Sequence, residues 1–452
     1  MRARQLRPLL VALALALAPA LIAAGCGKSL PGDAQGRGST AIAPVNPHGA
    51  GGLTTKNTTR LGGADPATDA AAVALAVYPG LAPATRPEAV VVVDEHDWPA
   101  ALAASALASA PLRAPLLYAD GDSLPQTSEQ ALSAMAPTGA PSLGGAQIVQ
   151  IATSAGPSRY RSRTLPAAPA TDPYAQAAAI ERLLSDTHGG SVHQVIVVAA
   201  DGPPAMAMPA AGLAAQTGAP ILFVNARGVP AATRAVLARL HKPSIYAVGS
   251  PTALSSAVLG KLKRFGPTKR VVSPVGHIVS SDAVGNSVAV ALYTDGAFGW
   301  GVDEPGHGLV FLNALRPLDA PAAAPLSANG DYGPLLLLES AYGIPKVLGE
   351  YLADIQPAYG DAPAYRPVHG SYNRGWLVGD ERAISATTQA EIDARLEIKH
   401  VSPGSVATAA PETEPEAPVT STATASTPAL APSTSTNTPS VTPSTSTTTR
   451  HP

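Results

Sequence analysis

The sequence predicts an α/β protein built from three tandem Rossmann-like repeats, each with its own parallel β-sheet. The first observation is a Pro-[Leu/Ile]-Leu stretch that recurs at Pro115, Pro220 and Pro334, with spacings of 105 and 114 residues. The second is that continuous apolar runs alternate with alanine-rich segments around each copy, as strands buried on both faces and their crossover helices do. The third is a helix-start signal at the beginning of each copy.

Each predicted repeat opens with an amphipathic helix. Asp65-Pro66 and Asp172-Pro173 precede the first two helices, and Ser281-Asp282 precedes the third. Aspartate at the N-cap accepts an unpaired backbone N–H, and proline at the first helical position has no N–H to leave unpaired. These pairs therefore predict helix N-termini.

The remaining elements follow in the same order in every copy. The predicted first strands are Ala89 to Asp94, Gln194 to Asp201 and Gly308 to Asn313, and each is followed by an alanine-rich helix. The predicted second strands begin with the recurring Pro-[Leu/Ile]-Leu residues, which we call the signature residues: Pro115, Leu116, Leu117, Pro220, Ile221, Leu222, Pro334, Leu335 and Leu336. A polar helix and a third strand (AQIVQIA, SIYAVGS, RGWLVGD) complete each copy, and parallel strands joined by helices predict right-handed βαβ units.

The N-terminus has the pattern of an export signal. Residues 1–26 combine a basic start, an apolar stretch from Leu9 to Ala24 and the ending Ala-Ala-Gly-Cys. This ending resembles the lipobox of bacterial lipoproteins, which implies lipidation of Cys26 and anchoring to the membrane by acyl chains. Cys26 is the one cysteine of the chain and has no partner for an internal disulfide. An ordinary secretory signal with an incidental cysteine stays open as the alternative.

Composition and periodicity divide the chain into six segments. The boundaries are 1–26 for the signal peptide, 27–58 for a flexible linker, 59–167 for repeat 1, 168–273 for repeat 2, 274–400 for repeat 3 and 401–452 for the tail. The linker is rich in Gly, Pro, Ser, Thr and Asn, and the tail is almost entirely Thr, Ser, Pro, Ala and Glu. Segments of this kind bury too little apolar surface to offset their ordering entropy, so we expect both to be disordered.

Charge and motifs exclude several functions. The formal net charge is −2, and removal of the signal with Arg2, Arg4 and Arg7 makes the chain more acidic, which is unsuited to nucleic-acid binding. The sequence contains no phosphate-binding GxxxxGK[ST], no G-x-S-x-G and no H-E-x-x-H. Ser105 and Ser109 have no spacing that marks a catalytic triad. We expect no enzymatic activity and no cofactor.

The repeats resemble the cell-wall-binding type 2 repeats that occur in threes on clostridial, bacillar and actinobacterial surface proteins. The likeness rests on the Pro-[Ile/Leu]-Leu strand, on the Val-Gly that ends the third strand at Gly249 and Gly379, and on the opening Arg60-Leu61-Gly62-Gly63. It covers about residues 59–400. It implies three α/β repeats around a pseudo-threefold axis, non-covalent binding of an anionic wall polymer, and a structural role for the nine signature residues.

Two groups of residues are candidates for ligand contact. Asp94, Glu95, His96 and Asp97 follow the first strand of repeat 1, where α/β sheets place their ligands. They are either a cation or polar-ligand site or a solvated loop; the other copies, which lack such a group, favour the loop, and we predict no metal site. The insertion before the last strand of repeat 3 interleaves aromatic and basic side chains, which suit sugar rings and anionic groups. Its candidate glycan-binding residues are Tyr359, Tyr365, Arg366, Tyr372, Arg374 and Trp376.

The predicted function is that of a non-catalytic cell-envelope lipoprotein, anchored outside the cytoplasm and facing the wall. Its partners would be an anionic wall glycopolymer and, through the lipid, the membrane. Three weak sites would add their affinities through effective concentration. Two alternatives stay open: a solute-binding lipoprotein with a ligand cleft between lobes, and a non-catalytic regulator of a wall hydrolase.

Overall fold

A computed structural model describes residues 54–165, 172–190, 192–271, 282–328, 333–359 and 372–400. The strands are β1 (Thr58–Leu61), β2 (Val90–Asp94), β3 (Leu116–Ala119), β4 (Ile148–Ile151), β5 (Ser162–Thr164), β6 (Gln194–Ala199), β7 (Ile221–Val224), β8 (Ser244–Ala247), β9 (Thr268–Arg270), β10 (Gly308–Asn313), β11 (Leu335–Leu338), β12 (Ala358–Tyr359), β13 (Arg374–Val378) and β14 (Lys399–His400). The helices are α1 (Pro66–Val77), α2 (Trp98–Ala104), α3 (Gln126–Met135), α4 (Pro173–Thr187), α5 (Pro209–Thr217), α6 (Ala231–Arg239), α7 (Ser256–Leu262), α8 (Ala283–Leu292), α9 (Asp319–Ala328), α10 (Lys346–Asp354) and α11 (Ala386–Leu396).

The strands form three four-stranded parallel sheets with one common topology. Their orders are β3-β2-β4-β5, β7-β6-β8-β9 and β11-β10-β13-β1, and β12 and β14 form a small additional pair. In each sheet the first strand of the repeat lies between the second and the third, so the chain crosses to one side and then to the other. The predicted fold class, three α/β repeats with parallel sheets, is confirmed.

The predicted helix starts have the expected geometry. The side chains of Asp65, Asp172 and Asp282 accept hydrogen bonds from the backbone N–H groups three residues later, at 2.9, 3.0 and 2.7 Å. Proline occupies the first turn of α1 and α4. Local sequence therefore fixes where these three helices begin.

The signature residues are buried in the second strand of every repeat. Leu116, Ile221 and Leu335 lie opposite Val91, Ile196 and Val310 of the first strands, in the same register. The preceding prolines have no N–H, but their carbonyls accept hydrogen bonds from the same three first-strand residues, at 2.9 to 3.2 Å. Proline thus fits the start of the strand without costing the sheet a ladder bond.

One strand lies in a different sheet from the one that the sequence suggests. β1, which includes the Arg60-Leu61 start of the predicted repeat 1, pairs in parallel with β13 of the third sheet. β5 and β9 likewise close one sheet and lead into the first helix of the next repeat. Each repeat therefore takes its fourth strand from the chain that enters the following repeat, and β1 closes the three units into a ring. The segment boundaries given above stay a proposal.

The middle of the ring is formed by the alanine-rich crossover helices. α5 packs against α9 and against the short 3-10 helix Ser105–Ala108 that continues α2. About half of the residues on these helices are alanine, which allows the helix axes to approach closely. At Gly212 of α5 a Cβ would lie 2.8 Å from Leu335 Cγ and 2.9 Å from Ser327 Oγ. The three repeats therefore share one continuous core.

Candidate functional site

The carboxyl edge of each sheet is the place where this topology forms a crevice. The chain leaves the first strand toward one side and returns to the other, so the loops after the first and third strands diverge. Ligands of open parallel sheets bind at such switch points. The three repeats fill this position with different chemistry.

In repeat 2 the crevice is a pocket of about 310 Å³. It is lined by Asp201, Gly202, Pro203, Met206, Ala226, Ser250, Thr252 and Ala253. Asp201 Oδ2 accepts the N–H of Ala226 at 2.8 Å, and the hydroxyls of Ser250 and Thr252 are 2.7 Å apart. The volume is at the lower end of the ~300–1,000 Å³ of small-molecule sites. Hydroxyls, a carboxylate and backbone groups suit the hydroxyls of a sugar.

In repeat 1 the same edge carries the acidic cluster noted in the sequence. Asp94 Oδ1 lies 3.1 Å from His96 N and 3.0 Å from His96 Nδ1. This hydrogen bond and the charge of Asp94 raise the pKa of His96, whereas burial and the charge of Asp120 raise the pKa of Glu95. One ligand atom each from Glu95, His96 and Asp120 lies within 4.8 Å of the others. These are the described residues able to hold a cation together, but His96 and Asp120 are exposed and hydrogen bonding within the loop explains the cluster.

Asp97 has a separate, local role. Its side chain accepts the N–H of Ala100 at 3.0 Å and caps α2. Burial raises the pKa of Asp97, and the hydrogen bond from Ala100 opposes this shift. Asp97 therefore belongs to the helix start, and the solvated-loop interpretation fits the remainder of the cluster.

In repeat 3 the edge is occupied by an ion cluster between repeats. The guanidinium of Arg316 lies between Asp69 of α1 and Asp319 of α9 and bonds to both carboxyls. Both aspartate side chains are fully buried. Asp69 also accepts the N–H of Gly63 at 2.6 Å. This cluster joins repeat 1 to repeat 3, and its side chains occupy the crevice of repeat 3.

Buried Arg60 of β1 and half-buried Arg270 of β9 hold equivalent positions in their sheets, which the sequence analysis did not recognise. Arg60 donates to the carbonyls of Gly379 and Ile384, and Arg270 donates to those of Gly249 and Leu254. Each arginine thereby holds the loop that follows the Val-Gly of the third strand. In repeat 1 a hydrogen-bonded pair, Thr164 and Gln150, takes this role. Aligning the three repeats on their fourth strands, instead of on their first helices, would have shown that Arg60 and Arg270 are equivalent.

The candidate glycan-binding residues are only partly brought together. Tyr359 and Tyr372 are exposed, and Arg374 is exposed at the start of β13. The ring of Tyr359 stands edge-on to His400 with the centroids 5.0 Å apart. Tyr365 and Arg366 lie outside the described residues.

Trp376 lies on the inner face of β13 and is half-buried against the shared core. It is opposite Val310, just as Tyr246 is opposite Ile196 in repeat 2. Tyr246 stacks on Phe298 with a centroid distance of 3.7 Å. The position thus carries a packed aromatic side chain in two repeats.

The two serines considered for a catalytic triad have structural hydrogen bonds. Ser105 and Ser109 are buried, and their hydroxyls donate to the carbonyls of Ala101 and Ala106. Cys26 lies outside the described residues. Within the part of the chain that the structure describes, no helix has the length and apolar character needed to cross a membrane.

Comparison with known proteins gives one family match. Residues 170–259, within the predicted repeat 2, match the family model described as Cell wall binding domain 2 (CWB2). This match confirms the resemblance seen in the sequence. No curated protein matches the chain.

Two solved structures from Clostridium difficile have a similar fold. Cwp6 gives a TM-score of 0.59 at 16% identity, covering 75% of this chain and 48% of that chain. Cwp8 gives 0.55 at 19% identity, covering 76% of this chain and 52% of that chain. The present chain thus spans about half the length of each. At these identities the similarity establishes the fold.

Proposed function

We propose that this chain, which carries a cell wall binding domain 2 over residues 170–259, is a non-catalytic envelope lipoprotein that binds an anionic wall polymer through its three-repeat ring. The observation that carries the proposal is the family match. Such a domain implies association with the wall outside the cytoplasm. The matched segment includes the pocket at the carboxyl edge of β6 and β8, whereas among the described residues the same edge carries an acidic loop in repeat 1 and an ion cluster in repeat 3.

The lipid anchor is a second part of the proposal. It rests on the apolar segment ending in Ala-Ala-Gly-Cys26. Cleavage before Cys26 and acylation of its thiol would attach the chain to the outer leaflet of the membrane, with residues 27–58 as a tether. Metabolic labelling with a fatty acid tests this step: the full chain is expected to take up label and Cys26→Ala is expected to take up none.

The aromatic insertion of repeat 3 remains a candidate for glycan contact. Tyr359, Tyr372 and Arg374 have the exposure that stacking and ion pairing need. Tyr365, Arg366 and Trp376 belong to the same proposed set, and half-buried Trp376 packs against the core from β13. Exposed tyrosines stack on sugar rings, and arginine pairs with phosphate or carboxylate.

The test is a pull-down of the purified full chain with cell walls, before and after mild acid removal of the anionic polymers. We expect binding to intact walls and a strong loss of binding to treated walls. Equal retention on both, or none on either, would overturn the proposal. The solute-binding alternative required two lobes joined by a hinge, and no observation on the three-sheet ring favours it.

A further inference from the structure

The charges of this chain are distributed unevenly. The whole sequence has 30 Lys and Arg against 32 Asp and Glu, but residues 202–281 contain no Asp or Glu and nine Lys or Arg. This acid-free stretch includes residues 202–273 of repeat 2 and overlaps the family match from residue 202 to residue 259. A polyanion would therefore meet a strongly positive potential at one repeat of a nearly neutral ring.

Two of these basic side chains bond to the backbone of the turn that follows β7, and the turn itself includes Arg227. Lys261 Nζ donates to the carbonyl of Arg227 at 2.7 Å, which places the end of α7 against the turn. Arg234 of α6 donates to the carbonyl of Val229 at 2.7 Å. Each of these cations contacts a neutral carbonyl and keeps its full charge available to a ligand.

Two further cations extend the same surface. Lys263 and Arg264 follow α7 directly, and Arg264 is three residues beyond Lys261, one helical turn away. We define the basic surface as Arg227, Arg234, Lys261, Lys263 and Arg264, all of which are exposed. Within the described ranges, no acidic side chain forms an ion pair with any of them.

The remaining cations of the stretch have other roles. Arg239 pairs with the buried Glu181, and Lys269 pairs with Asp295 of the next repeat. Arg270 holds the carbonyls of Gly249 and Leu254. The five residues of the basic surface differ from these three because their charge serves no structural ion pair. The ninth cation, Lys242, precedes β8 and so lies at the amino edge of the sheet, away from the pocket.

The basic surface adjoins the 310 Å³ pocket of repeat 2. Ala226, which lines the pocket and bonds to Asp201, is the residue before Arg227. The pocket offers a sugar the exposed hydroxyl of Thr252, which the buried hydroxyl of Ser250 holds in place, and the adjoining cations would attract any anionic group that the sugar carries. Among the described residues that line the pocket, Asp201 is the acidic one.

The equivalent turns of the other two repeats have the opposite charge. Asp120 and Asp122 follow β3, and Glu339 follows β11, where repeat 2 has Asn225 and Arg227 after β7. Like charges repel a polyanion at these two places. The three repeats are therefore equivalent in fold but not in the ligand that they attract.

We propose that the anionic wall polymer binds chiefly to repeat 2, with its charged groups on the basic surface and one sugar unit in the adjoining pocket. This inference rests on the function proposed above and assigns it to one repeat instead of three. A membrane surface is the competing polyanion. Proteins that lie on lipid also insert apolar side chains, and the exposed large hydrophobic residues of the described chain, Leu81, Leu315, Tyr342, Tyr359 and Tyr372, all lie outside repeat 2.

The test compares two variants of the full chain with equal change in net charge. The first carries Arg227→Gln, Lys261→Gln, Lys263→Gln and Arg264→Gln. The control carries Arg86→Gln, Arg159→Gln, Lys346→Gln and Arg382→Gln, which are exposed residues of repeats 1 and 3. Binding is measured on intact walls, on acid-treated walls and on phosphatidylglycerol vesicles over a range of salt concentrations, with thermal unfolding as the check on folding.

We expect the basic-surface variant to bind intact walls about tenfold more weakly or worse, and the control to bind as the unmodified chain does. The salt dependence of binding should fall in the basic-surface variant, because fewer charge contacts are screened. If the unmodified chain needs the acid-labile polymer but the basic-surface variant still binds normally, the inference is wrong and the proposed function stands. If the unmodified chain binds walls with and without polymer equally, the proposed function fails. Charge-dependent binding to vesicles with none to walls would assign the surface to lipid and overturn the inference.

Discussion

At the residue scale, the side chain of Arg60 holds the loop that follows β13 in the third sheet. Its guanidinium donates to the carbonyls of Gly379, Asp380 and Ile384 and to the amide oxygen of Gln389. The residue is 4% exposed, and burial lowers the pKa of Arg60 from its usual value. Arg60, part of the motif that resembles the start of a wall-binding repeat, therefore anchors the loop after β13. It is too buried to contact a wall ligand.

Arg60→Met should destabilise the protein by about 3 kcal/mol or more, because it leaves buried carbonyls without a donor. The matched control is Arg382→Gln, which removes an exposed pair with Asp380 and should cost less than about 1 kcal/mol. Denaturant unfolding measures both. Equal small effects would show that Arg60 is not the anchor.

Asp69 gives a second residue-scale prediction, which concerns pH. Burial, and then the charge of Asp319, raise the pKa of Asp69 well above 3.8, and Arg316 only partly opposes them. The folded chain therefore holds this proton more tightly than the unfolded chain does. The free energy of unfolding should fall as the pH rises from about 3.8 through the raised pKa. Asp69→Asn has no titrating group at this position, so its free energy of unfolding should fall less over the same pH range.

The measurement is denaturant unfolding of the two proteins at several pH values above 4. Asp65→Asn is the control, because Asp65 is an exposed N-cap of the same helix and asparagine caps equally well. A pH profile of Asp69→Asn that matches those of the control and the unmodified chain would contradict the prediction.

At the scale of elements, the small residues of the central helices set how closely the repeats approach. α5 presents Gly212 where a Cβ would meet Leu335 and Ser327 of repeat 3 at under 3.0 Å. On α7 the space around Gly260 is open. The same residue type therefore serves close packing in one helix and has no packing role in the other.

Gly212→Ala and Gly260→Ala should have opposite effects. Alanine is favoured over glycine within a helix by about 0.5–1 kcal/mol, so Gly260→Ala should stabilise the protein by that amount. Gly212→Ala should destabilise it by about 1–3 kcal/mol, because neighbouring side chains must move in a full core. Thermal unfolding of both variants checks the signs, and stabilisation by Gly212→Ala would contradict the close approach.

At the scale of the whole molecule, β1 closes the ring. The N–H groups of Gly375 and Gly379 donate to the carbonyls of Asn57 and Leu61, both at 2.8 Å. These bonds join the first described strand of the chain to the last repeat. The Asp69–Arg316–Asp319 cluster reinforces the same junction.

A chain that begins at residue 65 should lose hydrogen-exchange protection at the amides of Gly375 in β13 and of Gly379, which follows that strand. The amides of β6 to β8 should keep theirs, because the second sheet contains no residue from the removed segment. A chain that begins at residue 54 is the control, since it retains β1 and should exchange like the full chain. Equal protection in both shortened chains would contradict ring closure by β1.

The sequence by itself determined the repeat, because its signals are local. Proline followed by apolar residues specifies a buried strand start, and Asp65, Asp172 and Asp282 specify helix starts whether or not their surroundings are known. The first three helices of each copy and the burial of the signature residues followed from these patterns. The order of the strands in each sheet did not, and neither did α7 and α11, which follow the third strand of repeats 2 and 3. What the sequence could not give was the partner of each terminal strand.

Only the tertiary structure decided which residues of different repeats meet. β1 pairs with β13 across more than 300 residues, and no local pattern encodes a pairing at that separation. Arg227 and Lys261 are 34 residues apart yet touch at one turn, so a short-window search for basic runs misses them. Local hydrogen bonds and helix starts are fixed by neighbouring residues, whereas ring closure depends on how three units of one topology pack together, and the basic surface on how α7 packs within repeat 2.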